Sequence, residues 1–121
     1  MTIHKIDAVL LDSSRAEDLV TFYRDRLGVP LEEERHDSER HWGCMLAGVH
    51  FAVHQTDGLS GAPRNLGLSF EVDDVDAAVG RLRKAGVAID LEPHDRPYGR
   101  LAAVKDPDGN VVYLHRYPAV R

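Results

Sequence analysis

One order of elements occurs twice in this sequence, and that repeat limits the available folds more than any single motif does. The first copy opens with a strand pattern at residues 6–11, "IDAVLL". A helix pattern follows in "SSRAEDLVTFYRDRLG", where Leu19, Tyr23 and Leu27 share one face with Phe22 and Val20 at its edges. Ser14 has Glu17 three residues on, the spacing of a capping box, and Gly28 supplies a stop. Strand patterns then occupy 29–35, 41–46 and 49–55. The second copy runs strand ("LGLSFEV"), helix ("DDVDAAVGRLRKAG"), then strands at 87–92, 101–105 and 111–116. In its helix Asp73 or Asp74 is the cap, Val75, Ala78, Val79 and Leu82 face inward, and Gly86 is the stop. Two β-α-β-β-β modules, 3–55 and 65–117, joined by a Gly-, Ser- and Pro-rich linker at 56–64, predict a single α+β domain over 1–121.

The repeat has a physical consequence. One helix covers one face of one sheet. The other face must find cover elsewhere or curve around a ligand, and two such sheets side by side would form an open, cup-like mixed sheet. The stretch "KDPDGNVVYLHR" shows what would line it. Asp106-Pro107-Asp108-Gly109-Asn110 is turn chemistry. The strand after it puts Val111, Tyr113 and His115 on one face.

Composition narrows the function classes. No apolar run approaches the roughly 20 residues that span a bilayer, and "MTIHKIDAVLLDSS" lacks the apolar core of a signal peptide. No membrane association and a cytoplasmic location are expected. A net charge of −5 with no basic patch argues against nucleic acid. Cys44 is the single cysteine, so it forms no intrachain disulfide and is expected to be a buried, inert thiol. No phosphate loop of the "GxxxxGK" or "GxGxxG" kind is present.

Three stretches, "AEDLVTFYRDRLG", "LSFEVDDVDAAVGRLRKAG" and "YGRLAAVKDPDGNVVYLHR", carry a resemblance over nearly the whole chain. Through them the chain resembles the vicinal oxygen chelate superfamily, which includes glyoxalase I, bleomycin-resistance proteins and extradiol dioxygenases. The resemblance implies paired modules forming a cup and a twofold homodimer with two crevices. It implies no particular reaction, because this fold hosts isomerases, dioxygenases, thiol transferases and pure binding proteins. Metal enzymes of the superfamily place ligands at four inward positions. By the resemblance these fall on Ala8, Ala52, Gly67 and Tyr113. Three of them carry no donor atom, and the fourth is a phenol, so no metal and no other cofactor is expected.

The candidate ligand-binding residues follow from strand alternation. His50 and His54 flank Ala52, Asn65 and Ser69 flank Gly67, and His115 follows Tyr113. His50 and His54 stand about 13 Å apart at about 3.3 Å per residue, too far for one ion to bridge directly. Tyr98 and Arg100, in or just after the loop before the penultimate strand, would sit at the mouth. His36, His41 and His94 lie near predicted loops or strand ends and are expected to be exposed. Trp42 shares alternation with Cys44 and Leu46, which suits core packing, a dimer contact or ligand stacking.

The leading expectation is a glyoxalase/bleomycin-resistance-like protein that binds a small organic molecule in the cup or dimer crevice, with no catalytic residue assigned. The rival is a metal-dependent lyase, isomerase or dioxygenase using displaced ligands. A third is a metal-free enzyme with His50, His54 or Tyr113 as acid or base. The −5 charge with these Tyr and His residues predicts a preference for aromatic or weakly cationic ligands over phosphates.

Overall fold

The structure, a computed structural model, describes residues 1–36, 39–57 and 66–118. The predicted order is present twice. The first unit contains β1 (Ala8–Ser13), α1 (Ala16–Val20) running directly into a π-helical stretch (Thr21–Arg26), β2 (Glu32–His36), β3 (Glu39–Leu46) and β4 (Val49–Gln55). The second contains β5 (Gly67–Glu71), α2 (Val75–Lys84), β6 (Ile89–Arg96), β7 (Gly99–Lys105) and β8 (Val111–Arg116). They form two compact units, Met1–Ala62 and Pro63–Arg121. Each has a four-stranded mixed sheet, in the orders β1-β4-β3-β2 and β5-β8-β7-β6. The β1–β4 and β5–β8 pairs are parallel and the rest antiparallel. The fold is therefore α+β, built of two tandem β-α-β-β-β units. No helix of the described residues is long and apolar enough to cross a membrane.

In the first unit Leu19, Val20, Phe22 and Tyr23 of the helix bury against Leu11, Phe51, Val53 and Trp42. The π-helical turn, with Leu27 N–H bonded to the Phe22 carbonyl at 3.0 Å, lets the adjacent Phe22 and Tyr23 both turn inward. Trp42 is 4% exposed and belongs to this core, with the Arg40 guanidinium 4.9 Å above its ring. Cys44 lies half-buried, and burial, followed by the charge of Glu32, pushes its thiol pKa up. It is a poor nucleophile for that reason.

The expected Ser14 capping box is replaced. Arg15 holds the cap position, and its side chain binds Asp18 rather than capping the helix. Ser13 Oγ accepts from Arg15 N–H at 2.9 Å, and Gln55 Oε1, reaching across from the end of β4, accepts from Ala16 N–H at 3.0 Å. The Gln55 amide nitrogen also donates to the Ser14 carbonyl. A distant sheet residue thus satisfies a helix donor that local sequence was expected to satisfy.

In the second unit Val75, Val79 and Leu82 pack on Ala102, Val104, Val112 and Leu114. Asp74 is the cap, accepting from Ala77 N–H at 3.0 Å. The strand expected to end at residue 92 instead continues through Pro93 to Arg96. It survives the proline because β6 is an edge strand, and its pairing with β7 shifts register between Ile89 and Leu91 and again between Leu91 and His94. Likewise β7 begins at Gly99 rather than Leu101, and β1 at Ala8 rather than Ile6.

Candidate functional site

The face of the second sheet away from α2 carries a pocket of about 380 Å³. Ser69 on β5, Tyr113 and His115 on β8 and Leu101 on β7 form its floor; Leu91 and Arg96 on β6 and Tyr98 in the β6–β7 turn complete the lining. Alternation accounts for most of this. Ser69 registers with Tyr113, Tyr113 with Ala103, and His115 with Leu101, so these side chains share one face while Leu114, Val112 and Ala102 point to the helix.

The turn before β8 holds that strand in place. Asp106 and Asn110 are both buried. Asp106 Oδ1 accepts from the backbone N–H of Asp108 and of Asn110, each at 2.9 Å, and Oδ2 accepts from the Asn110 side-chain amide at 2.8 Å. A buried carboxylate that accepts three hydrogen bonds is a rigid corner. It sets where Tyr113 and His115 emerge.

His115 ties the pocket floor to its rim. Its Nε2 donates to the Tyr98 carbonyl at 2.9 Å, and since a carbonyl only accepts, that nitrogen carries the proton. Its ring meets Tyr98 edge-on at 5.9 Å and Tyr117 at 4.3 Å. At the rim, Arg96 Nε donates to His94 Nε2 at 2.8 Å, and His94 Nδ1 bonds the Glu92 carbonyl at 2.9 Å. His94, expected to be exposed near a loop or strand end, lies two residues from the end of β6 and is half-buried.

Among the other expected site residues, Gly67 does not line the pocket but lies against the ring of Tyr113, which does. A Cβ there would lie 3.1 Å from Tyr113 Cε2, so the phenol ring fills the space a side chain at 67 needs. Arg100 does not join the pocket. It points to the helix side and binds Asp76 of α2 through two nitrogens, at 2.7 and 2.9 Å, and Asp95 at 3.0 Å. Those carboxylates hold its guanidinium charged and fixed, while Arg100 holds the Asp76 carboxyl below the usual carboxylate range. Asn65 lies outside the described residues, as does the side chain of His36. The sequence reading missed Leu91, Leu101 and Arg96.

His50, Ala52 and His54 lie in the first unit, on the sheet face away from α1. There they join His41, Gly43 and Met45 of β3, Leu10 of β1 and Glu34 of β2 by register. His41 is 9% exposed rather than free in solvent; its Nε2 bonds Glu34 Oε2 at 3.0 Å, and its ring lies 5.0 Å from that of His54. The His50 ring covers Gly43, where a Cβ would meet Nε2 at 2.9 Å. A second cavity, of about 270 Å³, lies at the start of α1, where Arg40 pairs with Glu17 and Arg15 with Asp18.

The positions to which the resemblance assigns the superfamily's metal ligands carry poor donors for a divalent ion. Ala8, Ala52 and Gly67 have no donor, and Tyr113 Cε2 lies within contact distance of the Gly67 Cβ direction. Among the described residues no group of three or more His, Cys, Asp or Glu side chains is arranged to hold a metal ion.

A family model described as Glyoxalase/Bleomycin resistance protein/Dioxygenase superfamily matches residues 5–114. Among solved structures the chain is similar to TnmS3, an antibiotic binding protein from Streptomyces sp. CB03234, with 30% identity and a TM-score of 0.76 over 98% of this chain and 99% of that one. It is also similar to a glyoxalase/bleomycin resistance protein from the same organism, with 30% identity and a TM-score of 0.70 over 90% and 97% of the two chains. A glyoxalase-related enzyme from Fulvimarina pelagi shares the fold at 19% identity and a TM-score of 0.76, over 96% and 90%. A search of curated proteins found no match.

Proposed function

The chain belongs to the Glyoxalase/Bleomycin resistance protein/Dioxygenase superfamily, and from that premise we propose that it binds a small aromatic molecule in the pocket of its second unit, without the superfamily's metal. The observation that carries this reading is the Tyr113–Gly67 pair. The Tyr113 ring packs against the bare backbone of Gly67, two positions to which the resemblance assigns metal ligands, and it faces a pocket that also holds Leu91, Leu101 and Tyr98. Flat apolar walls with a few hydrogen-bonding groups suit an aromatic guest. The antibiotic-binding function of one similar protein supports the same reading.

The test is a ligand-observed NMR or fluorescence titration with aromatic compounds. Tyr113→Ala should weaken binding by about ten-fold, the loss of one aromatic contact worth about 1.4 kcal/mol. Unchanged affinity in that variant would remove the pocket from consideration. A second reading, a metal-dependent lyase, isomerase or dioxygenase, draws on His41, His50, His54 and Glu34 sharing one face of the first unit.

A homodimer is part of the proposal. Leu10 is 54% exposed and Met45 62%, both on that same face, and exposed apolar side chains of this size favour a partner surface. Light scattering should return twice the 13.5 kDa chain mass; a monomer at working concentration would refute it.

A further inference from the structure

We infer that the pocket of the second unit selects aromatic ligands bearing an anionic oxygen, that Arg96 is the group that reads this oxygen, and that His94 positions Arg96. The inference rests on the binding reading above and adds a ligand charge to it. Its sign is opposite to the one the net charge of the chain suggests.

The contrast among arginines carries it. Arg15, Arg24, Arg40, Arg83 and Arg100 each hold a carboxylate, and Arg26, Arg81 and Arg116, which hold none among the described residues, do not line the pocket. Arg96 lines the pocket and pairs with no carboxylate among the described residues. Its one hydrogen bond runs from Nε to His94 Nε2. A guanidinium nitrogen only donates, so His94 Nε2 must accept. The other imidazole nitrogen, Nδ1, then carries the proton and donates a hydrogen bond to the Glu92 carbonyl 2.9 Å away. This chain of backbone carbonyl, imidazole and guanidinium fixes Arg96 without neutralising it. Its two terminal nitrogens remain available, in the fork that matches a carboxylate.

The rest of the lining agrees. Ser69, Leu91, Tyr98, Leu101, Tyr113 and His115 include no acidic side chain. A cationic guest would therefore meet a positive charge and no negative one. An aromatic body against Tyr113 and Leu101 with a carboxylate or phenolate at the rim would meet complementary groups throughout. The acidic residues that give the chain its −5 charge lie elsewhere, and two nearby ones, Asp76 and Asp95, are already paired with Arg100.

The experiment is a titration of the full chain at low salt with 2-naphthoate, the neutral 2-naphthamide and the cationic 2-naphthylmethylamine, followed by fluorescence or NMR. Wild type should bind the naphthoate about ten-fold more tightly than the amide, as one charge-assisted hydrogen-bonded pair provides, and the amine should bind most weakly. Arg96→Gln should remove the preference, weakening naphthoate binding about ten-fold more than amide binding. His94→Leu, which removes the acceptor for Nε, should lower the preference. His94→Gln, whose amide oxygen can accept the same bond, should restore it. Equal binding of acid and amide by wild type, tighter binding of the amine, or parallel loss of both ligands in Arg96→Gln would overturn the inference while leaving aromatic binding intact. If none of the three binds, the aromatic-binding reading of the pocket falls with it.

Discussion

Gly99→Ala should destabilise the protein by about 3 kcal/mol, the upper range for forcing a side chain into a glycine-only backbone conformation. Residue 99 has a φ of +129°, and a Cβ built there collides with the Arg116 carbonyl oxygen and comes within 2.9 Å of His115 Nε2. The first obstacle is backbone of the central strand β8 and cannot swing aside. The second is the nitrogen that bonds the Tyr98 carbonyl. The substitution therefore strains the second unit at the point where its rim is tied to its floor. Urea denaturation is the direct measure. A midpoint within error of wild type would mean that the close approach of β7 to β8 is not what holds this corner. A second readout comes from Tyr98: if the variant still folds at low temperature, the ring contact between Tyr98 and His115 should be lost from its NMR spectrum.

The second large effect is a near-absence. Protein purified from medium supplied with zinc, nickel, iron and manganese should carry less than about a tenth of an equivalent of each, because a catalytic site needs about three protein donors and these positions offer one phenol. Elemental analysis after desalting decides it. Stoichiometric metal would transfer the advantage to the metalloenzyme reading. Single substitutions at His41, His50 and His54 would then show whether the imidazoles of the first unit are the donors, since each should lower metal content if they are.

Much of the architecture was legible because it is written in periodicity. The 3.6-residue pattern through Leu19 and Tyr23 and the alternation through Val49–Gln55 and Val111–Arg116 each depend on near neighbours only, and β4 and β8 have the predicted bounds. The Asp106–Asn110 turn was readable for the same reason. What was not legible depends on residues far apart in sequence. Gln55 caps a helix 39 positions away. Trp42 could be assigned to the core only once the register of β3 with β4 was known. Tyr113 against Gly67 is a contact between residues at opposite ends of the second unit's sequence. Arg100 and Arg96 show the most instructive failure. Proximity to a loop pointed to Arg100, but β7 alternation turns it toward Asp76. Unbroken alternation from Leu91 would have put Arg96 on the helix side, and only the irregular register of β6 puts it on the pocket side.

That irregularity separates two kinds of inheritance in the second unit. Leu91 opposes Ala103, while His94 opposes Leu101 and Arg96 opposes Gly99, so the strand changes which of its residues face the pocket between 91 and 94. Asp95 and Arg96 are neighbours of opposite charge on opposite faces, and the count of residues around Pro93 decides which of them the pocket sees. Because β6 has no strand beyond it among the described residues, a gain or loss of one residue there disturbs no pairing other than its own with β7. The buried residues of β7, β8 and α2 would be untouched by such an event. An insertion or deletion of one residue at this sheet edge would therefore exchange Arg96 for Asp95 on the pocket face and invert the charge presented there, while the scaffold beneath stays the same.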